Sequence, residues 1–173
     1  MRNSININSQ NGFSIIEVLI SVLVISIGLL GMAGLQTTGI QQSHNSYLKT
    51  QASMLAYDMA DRMRSNLQGV AAGHYDDVNA GTLDLVTTEP ACADANACTA
   101  QELADIDIYQ WTSGSDTGSL AATLPSGHGM VANSGGIFTI TVLWDENRTG
   151  ATGTDCAGDP AANLKCFQLE FIP

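Results

Sequence analysis

Glu17 is the residue whose presence is hardest to explain by packing alone. It is the single ionisable side chain among the 23 residues from Phe13 to Leu35, a run made of apolar and small residues. About 20 apolar residues suffice to cross a bilayer, and a carboxylate inside such a segment costs roughly 3 kcal/mol. A residue with that cost should be present for a function.

A cation is the simplest partner for this carboxylate. If the chain is cut after Gly12, the new amino group of Phe13 lies at the same membrane depth in every copy. Glu17 of one copy can then pair with the Phe13 amine of another, which relieves the burial cost of both groups and sets the register between subunits. The alternatives are a carboxyl group held neutral and a side chain that reaches the cytoplasmic surface.

Four cysteines lie in the last half of the chain: Cys92, Cys98, Cys156 and Cys166. An even number in an exported domain indicates two disulfides, for which three pairings exist. We favour Cys92–Cys98 and Cys156–Cys166, because each pair is close in sequence and flanked by turn-forming residues. Zinc is the alternative, but zinc sites prefer shorter spacings and usually a nearby histidine.

Other residue types suggest chemistry only weakly. Asp116-Thr117-Gly118 matches the short motif of aspartic proteases, but the tripeptide is common by chance and lies in a Gly- and Ser-rich connector. The histidines are scattered, and we expect His44 to be solvated and His128, between two glycines, to lie in a turn. We therefore predict no catalytic residues and no enzyme activity.

The acidic residues near the carboxyl terminus raise the question of a calcium site. Asp145, Glu146 and Asn147, with Asp155 and Asp159, supply oxygen atoms of the kind calcium prefers, but their spacing fits no EF-hand loop. A solvated acidic loop is the favoured interpretation. We predict no metal and no cofactor.

The charge balance argues against nucleic acid as a partner. Lys and Arg number 6 against 17 Asp and Glu, for a net charge of −11. Nucleic-acid affinity rests on cationic side chains that neutralise phosphates, so nucleic acid is an unlikely partner. The length of 173 residues allows one modest domain beside the apolar segment.

Beyond Leu35 the chain turns polar but keeps a helical pattern. Apolar residues recur at steps of three and four, which places them on one helix face. No proline occurs between Met1 and Glu89, so we predict one helix from about Ser14 to about Gln68, with Gly69 as its stop. Its apolar half is residues 13–35 and its amphipathic half residues 36–68. The residues on the predicted inner face are Leu48, Ala52, Leu55, Met59 and Met63.

The rest of the chain, residues 69–173, predicts a small globular domain. After a long loop, Thr99 and Glu102 form a capping-box pattern for a short helix from Ala100 to Trp111, with an inner face at Leu103, Ile106 and Tyr109 or Gln110. Ile137–Trp144 and Lys165–Ile172 alternate like strands, and residues 134–136 can turn back to a partner near 130–132. We predict an antiparallel sheet covered on one face by the amphipathic helix half.

The junction Gly12-Phe13-Ser14-Ile15-Ile16-Glu17-Val18-Leu19 resembles prepilin cleavage sites. It follows a polar leader, residues 1–12, which is not a secretory signal peptide because its apolar part would come after the small residue. Later pieces are similar to the PilV type of minor pilin, the type IV pilus modification proteins. They are Ile27 to Gln36; Cys98 with Gln101, Leu103, Ala104, Asp107 and Trp111; Leu124 to Gly127; and Thr139 to Trp144.

The resemblance implies an α+β, type IV pilin-like fold: a long N-terminal helix, membrane-spanning in its first half, packed on a small antiparallel β-sheet domain. It also implies cleavage after Gly12 and N-methylation of Phe13 by prepilin peptidase. The protein would lie in the inner membrane with its domain in the periplasm, and then in the extracellular pilus. Expected partners are other minor pilins and the major pilin, in a complex that primes assembly and lies near the tip, with a tip adhesin as a further candidate.

Two other functions share part of this pattern. A type II secretion pseudopilin would have the same junction and helix, but the PilV-like pieces and paired cysteines disfavour it. A membrane-anchored periplasmic enzyme or binding protein would explain the helix and the acidic domain, but not Gly12-Phe13 followed by Glu17.

Overall fold

A long helix, α1 (Ile15–Ser65), is the first element of the computed structural model, which describes residues 12–79, 89–92, 97–114, 118–159 and 161–173. The chain divides into two units, Met1–Ser43 and His44–Pro173, and α1 contributes residues to both. The elements that follow are α2 (Leu67–Ala71), α3 (Ala100–Thr112), α4 (Leu120–Thr123), β1 (His128–Ser134), β2 (Ile137–Trp144) and β3 (Lys165–Phe171).

In the first unit, α1 is predominantly apolar as far as Leu35. All of its residues from Ile15 to Ser43 are exposed. Its most apolar 18-residue window has a mean hydropathy of 2.6, with none of the window buried. By length and composition this helix is able to cross a membrane.

In the second unit, α1 buries one face. The predicted stripe is confirmed: the buried residues of the helix are Leu48, Ala52, Leu55, Ala56, Met59, Ala60 and Met63. They join one cluster with sheet residues that include Ile140, Val142 and Phe171. Each fully buried large apolar side chain contributes about 1.5–3 kcal/mol, so this face supplies much of the domain's stability.

The end of α1 differs from the prediction. The helix ends at Ser65, and Asn66 caps the short α2 by accepting a hydrogen bond from the Gly69 amide at 3.1 Å. Gly69 therefore lies inside a helix and does not stop one. A Cβ atom at this position would lie 3.0 Å from the Ala100 carbonyl oxygen and would clash with the Asn66 side chain. Close approach of neighbouring groups is the reason for the glycine.

The sheet has the order β1-β2-β3, and both pairings are antiparallel. Ser134 pairs with Ile137, so the hairpin turn consists of Gly135 and Gly136, whose φ angles are 62° and 91°. Two left-handed residues match the twist of a tight hairpin, which is why glycine is needed at both. The predicted turn and strands are confirmed. The expectation for His128 is wrong, because it begins β1 opposite Leu143.

Helix α3 begins as predicted. The Thr99 hydroxyl accepts from the Glu102 amide at 3.2 Å, and the Glu102 carboxylate accepts from the Thr99 amide at 2.8 Å. This reciprocal pair is the capping box that the sequence indicates.

The inner face of α3 is not the one predicted. Its buried residues are Ala104, Asp107, Trp111 and Thr112, whereas the predicted Leu103, Ile106 and Tyr109 are half-buried and Gln110 is exposed. The helix is rotated so that the Trp111 indole N–H can donate to the Leu55 carbonyl of α1 at 2.9 Å. The same rotation of α3 also buries Asp107, where Tyr75 and Arg62 contact its carboxylate.

Asp107 is the centre of a buried polar network. The Tyr75 hydroxyl donates to its carboxylate at 2.7 Å, and the Arg62 guanidinium lies 3.4 Å from it. Asn66 donates to the Tyr75 oxygen at 3.0 Å and to the Ala100 carbonyl at 2.8 Å. Burial raises the pKa of Tyr75, and its hydrogen bond to Asp107 raises it further. The network joins α1, the chain after α2, and α3.

We predict that Tyr75→Phe lowers the free energy of unfolding by about 2 kcal/mol, because it removes a hydrogen bond to a buried carboxylate. The measurement is urea unfolding of the full chain in detergent, followed by near-ultraviolet circular dichroism. Tyr57→Phe is the matched control, since Tyr57 is 55% exposed. Equal unfolding midpoints for the two variants would contradict the role assigned to the network.

The loop after β2 is organised by Asp145. Its carboxylate accepts from the Gly150 amide at 2.7 Å and from the Thr149 hydroxyl at 3.4 Å, and its own amide donates to the Pro125 carbonyl at 2.8 Å. Burial alone would raise the pKa of Asp145, but the hydrogen bonds from Gly150, Thr149 and Arg148 outweigh it and lower the pKa below its ordinary value. The folded state therefore favours the ionised carboxylate.

The lowered pKa predicts an acid dependence of stability. The contribution of Asp145 is complete above the unfolded pKa of about 3.9 and is lost as pH falls through the lower folded value. Asp145→Asn should therefore be less stable than wild type at pH 6, and the difference should shrink below about pH 4. Thermal unfolding between pH 6 and pH 2.5 measures this, with the exposed Asp77→Asn as control. A difference that stays constant with pH would refute the assignment.

Candidate functional site

The amino-terminal junction lies outside regular structure. Gly12, Phe13 and Ser14 precede α1, and Phe13 is 84% exposed. A Cβ atom at Gly12 would meet nothing within 4 Å. Packing therefore does not require a glycine here, and the peptide bond between Gly12 and Phe13 is accessible. The predicted leader before Gly12, residues 1–11, lies outside the described residues.

Glu17 lies in the first turn of α1. The helix starts at the Ser14 carbonyl, which accepts from the Glu17 amide at 3.0 Å and from the Val18 amide at 3.3 Å. A negative charge near a helix N-terminus is favourable, because unpaired amide groups there carry partial positive charge. The side chain is exposed, and no hydrogen bond or ion pair to it occurs among residues 12–79 or the later described stretches.

Hydroxyl groups on the same segment behave differently. Ser21, Ser26, Thr37 and Thr38 each donate to the carbonyl four residues earlier, at 2.7–3.2 Å. Such bonds satisfy a polar side chain within its own helix. These hydroxyls need no partner in an apolar environment, whereas the carboxylate of Glu17 does.

The four cysteines are joined in two pairs, Cys92–Cys98 and Cys156–Cys166, with Cα atoms 5.0 and 5.5 Å apart. These are the pairs that the sequence spacing favours. The second pair links the loop before β3 to the second residue of that strand. Residues 93–96, inside the first loop, lie outside the described residues.

The weaker chemical motifs do not form a site in the described chain. Asp116 and Thr117 of the protease-like tripeptide lie outside it. His44 is exposed, and burial lowers the pKa of His128. In the ranges that the structure describes, no group of three His, Cys, Asp or Glu side chains is placed to hold a metal ion.

The acidic residues considered for calcium bond to their own turns. The Asp155 carboxylate accepts from the Ala157 amide at 3.0 Å, and the Asp159 carboxylate accepts from the Ala161 amide at 2.9 Å. Asp145 holds the loop that ends at Gly150. Their carboxylates therefore already serve a structural purpose.

Sequence reasoning missed the network around Asp107. Arg62 donates to Asp58 at 2.9 Å and to Gln110 at 2.9 Å in addition to its contact with Asp107. Tyr75 lies 32 residues from Asp107 in sequence. No local pattern marks these residues as partners, because the fold alone brings them together.

Two protein-family models match consecutive parts of the chain. The prokaryotic N-terminal methylation motif matches residues 7–33, which contain Gly12, Phe13 and Glu17. A family described as Type IV pilin Tt1218 matches residues 34–109. Comparisons with curated proteins and with solved structures found no match. With a long N-terminal helix packed on a three-stranded antiparallel sheet, these matches support a type IV pilin that carries the prepilin N-methylation motif.

Proposed function

We propose that the protein is a minor pilin of the PilV type, which helps to initiate type IV pilus assembly and is incorporated at or near the pilus tip with other minor pilins. The observation that carries its role in assembly is Glu17, a carboxylate without a partner among the described residues, in the first turn of an exposed helix directly behind Gly12 and Phe13. The methylation motif covers this whole arrangement. The PilV-like pieces in the domain favour a pilus over a secretion pseudopilus.

The first step of this function is processing at the junction. The methylation motif implies a substrate of prepilin peptidase, and we infer that the cut follows Gly12 and that Phe13 is then N-methylated. The accessible, non-helical backbone around Phe13 supports this. Residues 1–12 would be the leader, and residues 13–35 the part of α1 that lies in the inner membrane.

The second unit of the structure would be the periplasmic part of the protein. That unit begins at His44, so the buried face of α1 belongs to the folded domain together with residues 69–173. An oxidising periplasm would form the Cys92–Cys98 and Cys156–Cys166 bonds. The type IV pilin family is structural, which agrees with a role in assembly and not in catalysis.

Docking in the membrane would use the new terminus. Cleavage leaves an ammonium group on Phe13, four residues before Glu17, on every processed copy. A Glu17 carboxylate and the Phe13 ammonium of a neighbouring pilin, major or minor, can then neutralise each other. Each charge alone is expensive in lipid, so the pair forms only when the subunits are aligned, and it selects the correct register.

We predict that the mature protein begins with N-methylated Phe13. Intact-mass and amino-terminal peptide mass spectrometry of sheared pili measures this directly. Gly12→Val is the matched variant. A Cβ atom at this position meets no neighbouring atom, so the variant protein should insert into the membrane and fold but keep its leader. An intact Met1 terminus on wild-type protein in sheared pili would contradict the prediction. Processed protein that never reaches pili would instead favour a secretion pseudopilin.

We predict that Glu17→Ala reduces incorporation into pili by two or more orders of magnitude, because an unpaired buried charge costs about 3–5 kcal/mol. Cleavage, membrane insertion and the domain fold should be unchanged. Glu17→Gln should fall between wild type and Ala, because it keeps the shape and some hydrogen bonding. The measurement is the amount of each variant in sheared pili at matched membrane levels.

Ser26→Ala is the control for this series. Ser26 lies in the same apolar segment, but its hydroxyl is satisfied by the Val22 carbonyl at 2.7 Å, so its loss should leave incorporation unchanged. Equal incorporation of wild type, Glu17→Ala and Glu17→Gln would show that Glu17 is not the docking contact. It would then be a side chain that reaches the membrane surface.

A further inference from the structure

The two lysines of the chain, Lys49 and Lys165, line the same cleft. Lys49 lies on α1 and Lys165 begins β3, so they are far apart in sequence and meet only in the fold. The cleft has a volume of about 360 Å³ and lies within the second unit. Its other lining residues are Asn45, Ser46, Trp144, Glu146 and Cys166.

Both lysine side chains are exposed, and neither forms an ion pair within the described part of the chain. Arg62 offers a contrast, because Asp58, Asp107 and Gln110 already occupy its guanidinium group. The chain as a whole is acidic, with a net charge of −11, so two lysines without ion pairs in one cleft make this part of the surface unusually positive. Their positive charge is available for a ligand.

Trp144 supplies an independent observation in the same cleft. The residue is 2% exposed, and its indole N–H is the one buried side-chain polar atom in the described residues that lacks a hydrogen-bond partner. It lies directly opposite Lys165 in the β2–β3 pairing. A buried donor without an acceptor is unfavourable. The nitrogen itself is closed off from solvent, so an acceptor that enters the cleft can bond to it once a small shift of the indole exposes the N–H.

We propose that this cleft, defined by Lys49, Trp144 and Lys165, binds a single carboxylate side chain on an acidic segment of a partner protein. Ammonium and indole groups can only donate hydrogen bonds, and an ionised carboxylate can only accept them. Glu146 also lines the cleft, so the net charge of its ionisable side chains is +1. One carboxylate matches that charge, whereas a phosphate polymer would need many more cations. The proposal does not rest on incorporation into a pilus.

The test uses the full chain in detergent, labelled with ¹⁵N-tryptophan. The chain has two tryptophans, so two indole signals are expected, and Trp144→Phe assigns them. Trp111 is the internal reference, because its indole already donates to the Leu55 carbonyl. The probe is the pentapeptide acetyl-Ala-Ala-Glu-Ala-Ala-amide, and the same peptide with Gln in place of Glu is its control.

The Trp144 signal should shift saturably with the Glu peptide at low salt, with a dissociation constant on the order of millimolar. The Gln peptide should have no effect. Lys49→Gln and Lys165→Gln should each weaken binding about threefold, and Glu146→Gln should strengthen it by a similar factor. Arg148→Gln, which removes an exposed cation elsewhere on the same unit, should not change it. Binding should weaken as salt rises.

Four results would overturn the proposal. The first is no saturable shift of the Trp144 signal at about 50 mM peptide, well above the expected dissociation constant, and the second is an equal response to the Gln peptide or to inorganic phosphate. The third is equal movement of both indole signals, and the fourth is a loss of binding in Arg148→Gln as large as in the lysine variants. The first two exclude a carboxylate site. The last two would indicate a general electrostatic effect of the protein surface.

Discussion

The buried face of α1 is the constraint on which the domain depends. Leu48, Leu55, Met59 and Met63 contribute to an apolar cluster that contains residues of all three strands. The Trp111 indole adds a hydrogen bond to the Leu55 carbonyl, an atom within the same helix. A carbonyl oxygen has two lone pairs, so it can accept this bond without losing its helical one. The helix therefore positions both the sheet and α3.

Polar contacts then decide which way the neighbouring elements face. Asp107 is buried where Tyr75 and Arg62 can reach it, and Asn66 connects Tyr75 to the start of α3. A buried carboxylate is tolerated only with such partners. Apolar burial holds the elements together, and this network selects one arrangement of α2 and α3 on the end of α1.

Features encoded by neighbouring residues were predictable. The Leu48 to Met63 stripe, the Thr99 capping box and the Gly135-Gly136 hairpin each depend on spacings of two to four residues. The inner face of α3 was predicted wrongly, because periodicity favours burial of Leu103 and Ile106 and gives no sign that Asp107 has distant partners.

The candidate sites divide in the same way. Gly12, Phe13 and Glu17 stand together in the sequence, so their chemistry could be inferred before the fold was known. The cleft of Lys49 and Lys165 could not, because only the packing of α1 beside β3 places the two side chains together. Asn66 likewise ends α1 through contacts with Tyr75 and Ala100, whereas sequence alone favoured Gly69.

The Cys156–Cys166 bond has a consequence for strand slippage. β3 is an edge strand close to the carboxyl terminus, with Phe167, Leu169 and Phe171 on the face opposite Cys166. A shift of one residue along β2 would turn those three side chains away from the core. The covalent link tethers the second residue of the strand to the loop before it, so a misaligned β3 would have to drag that loop along. The bond therefore disfavours a register shift of β3 against β2.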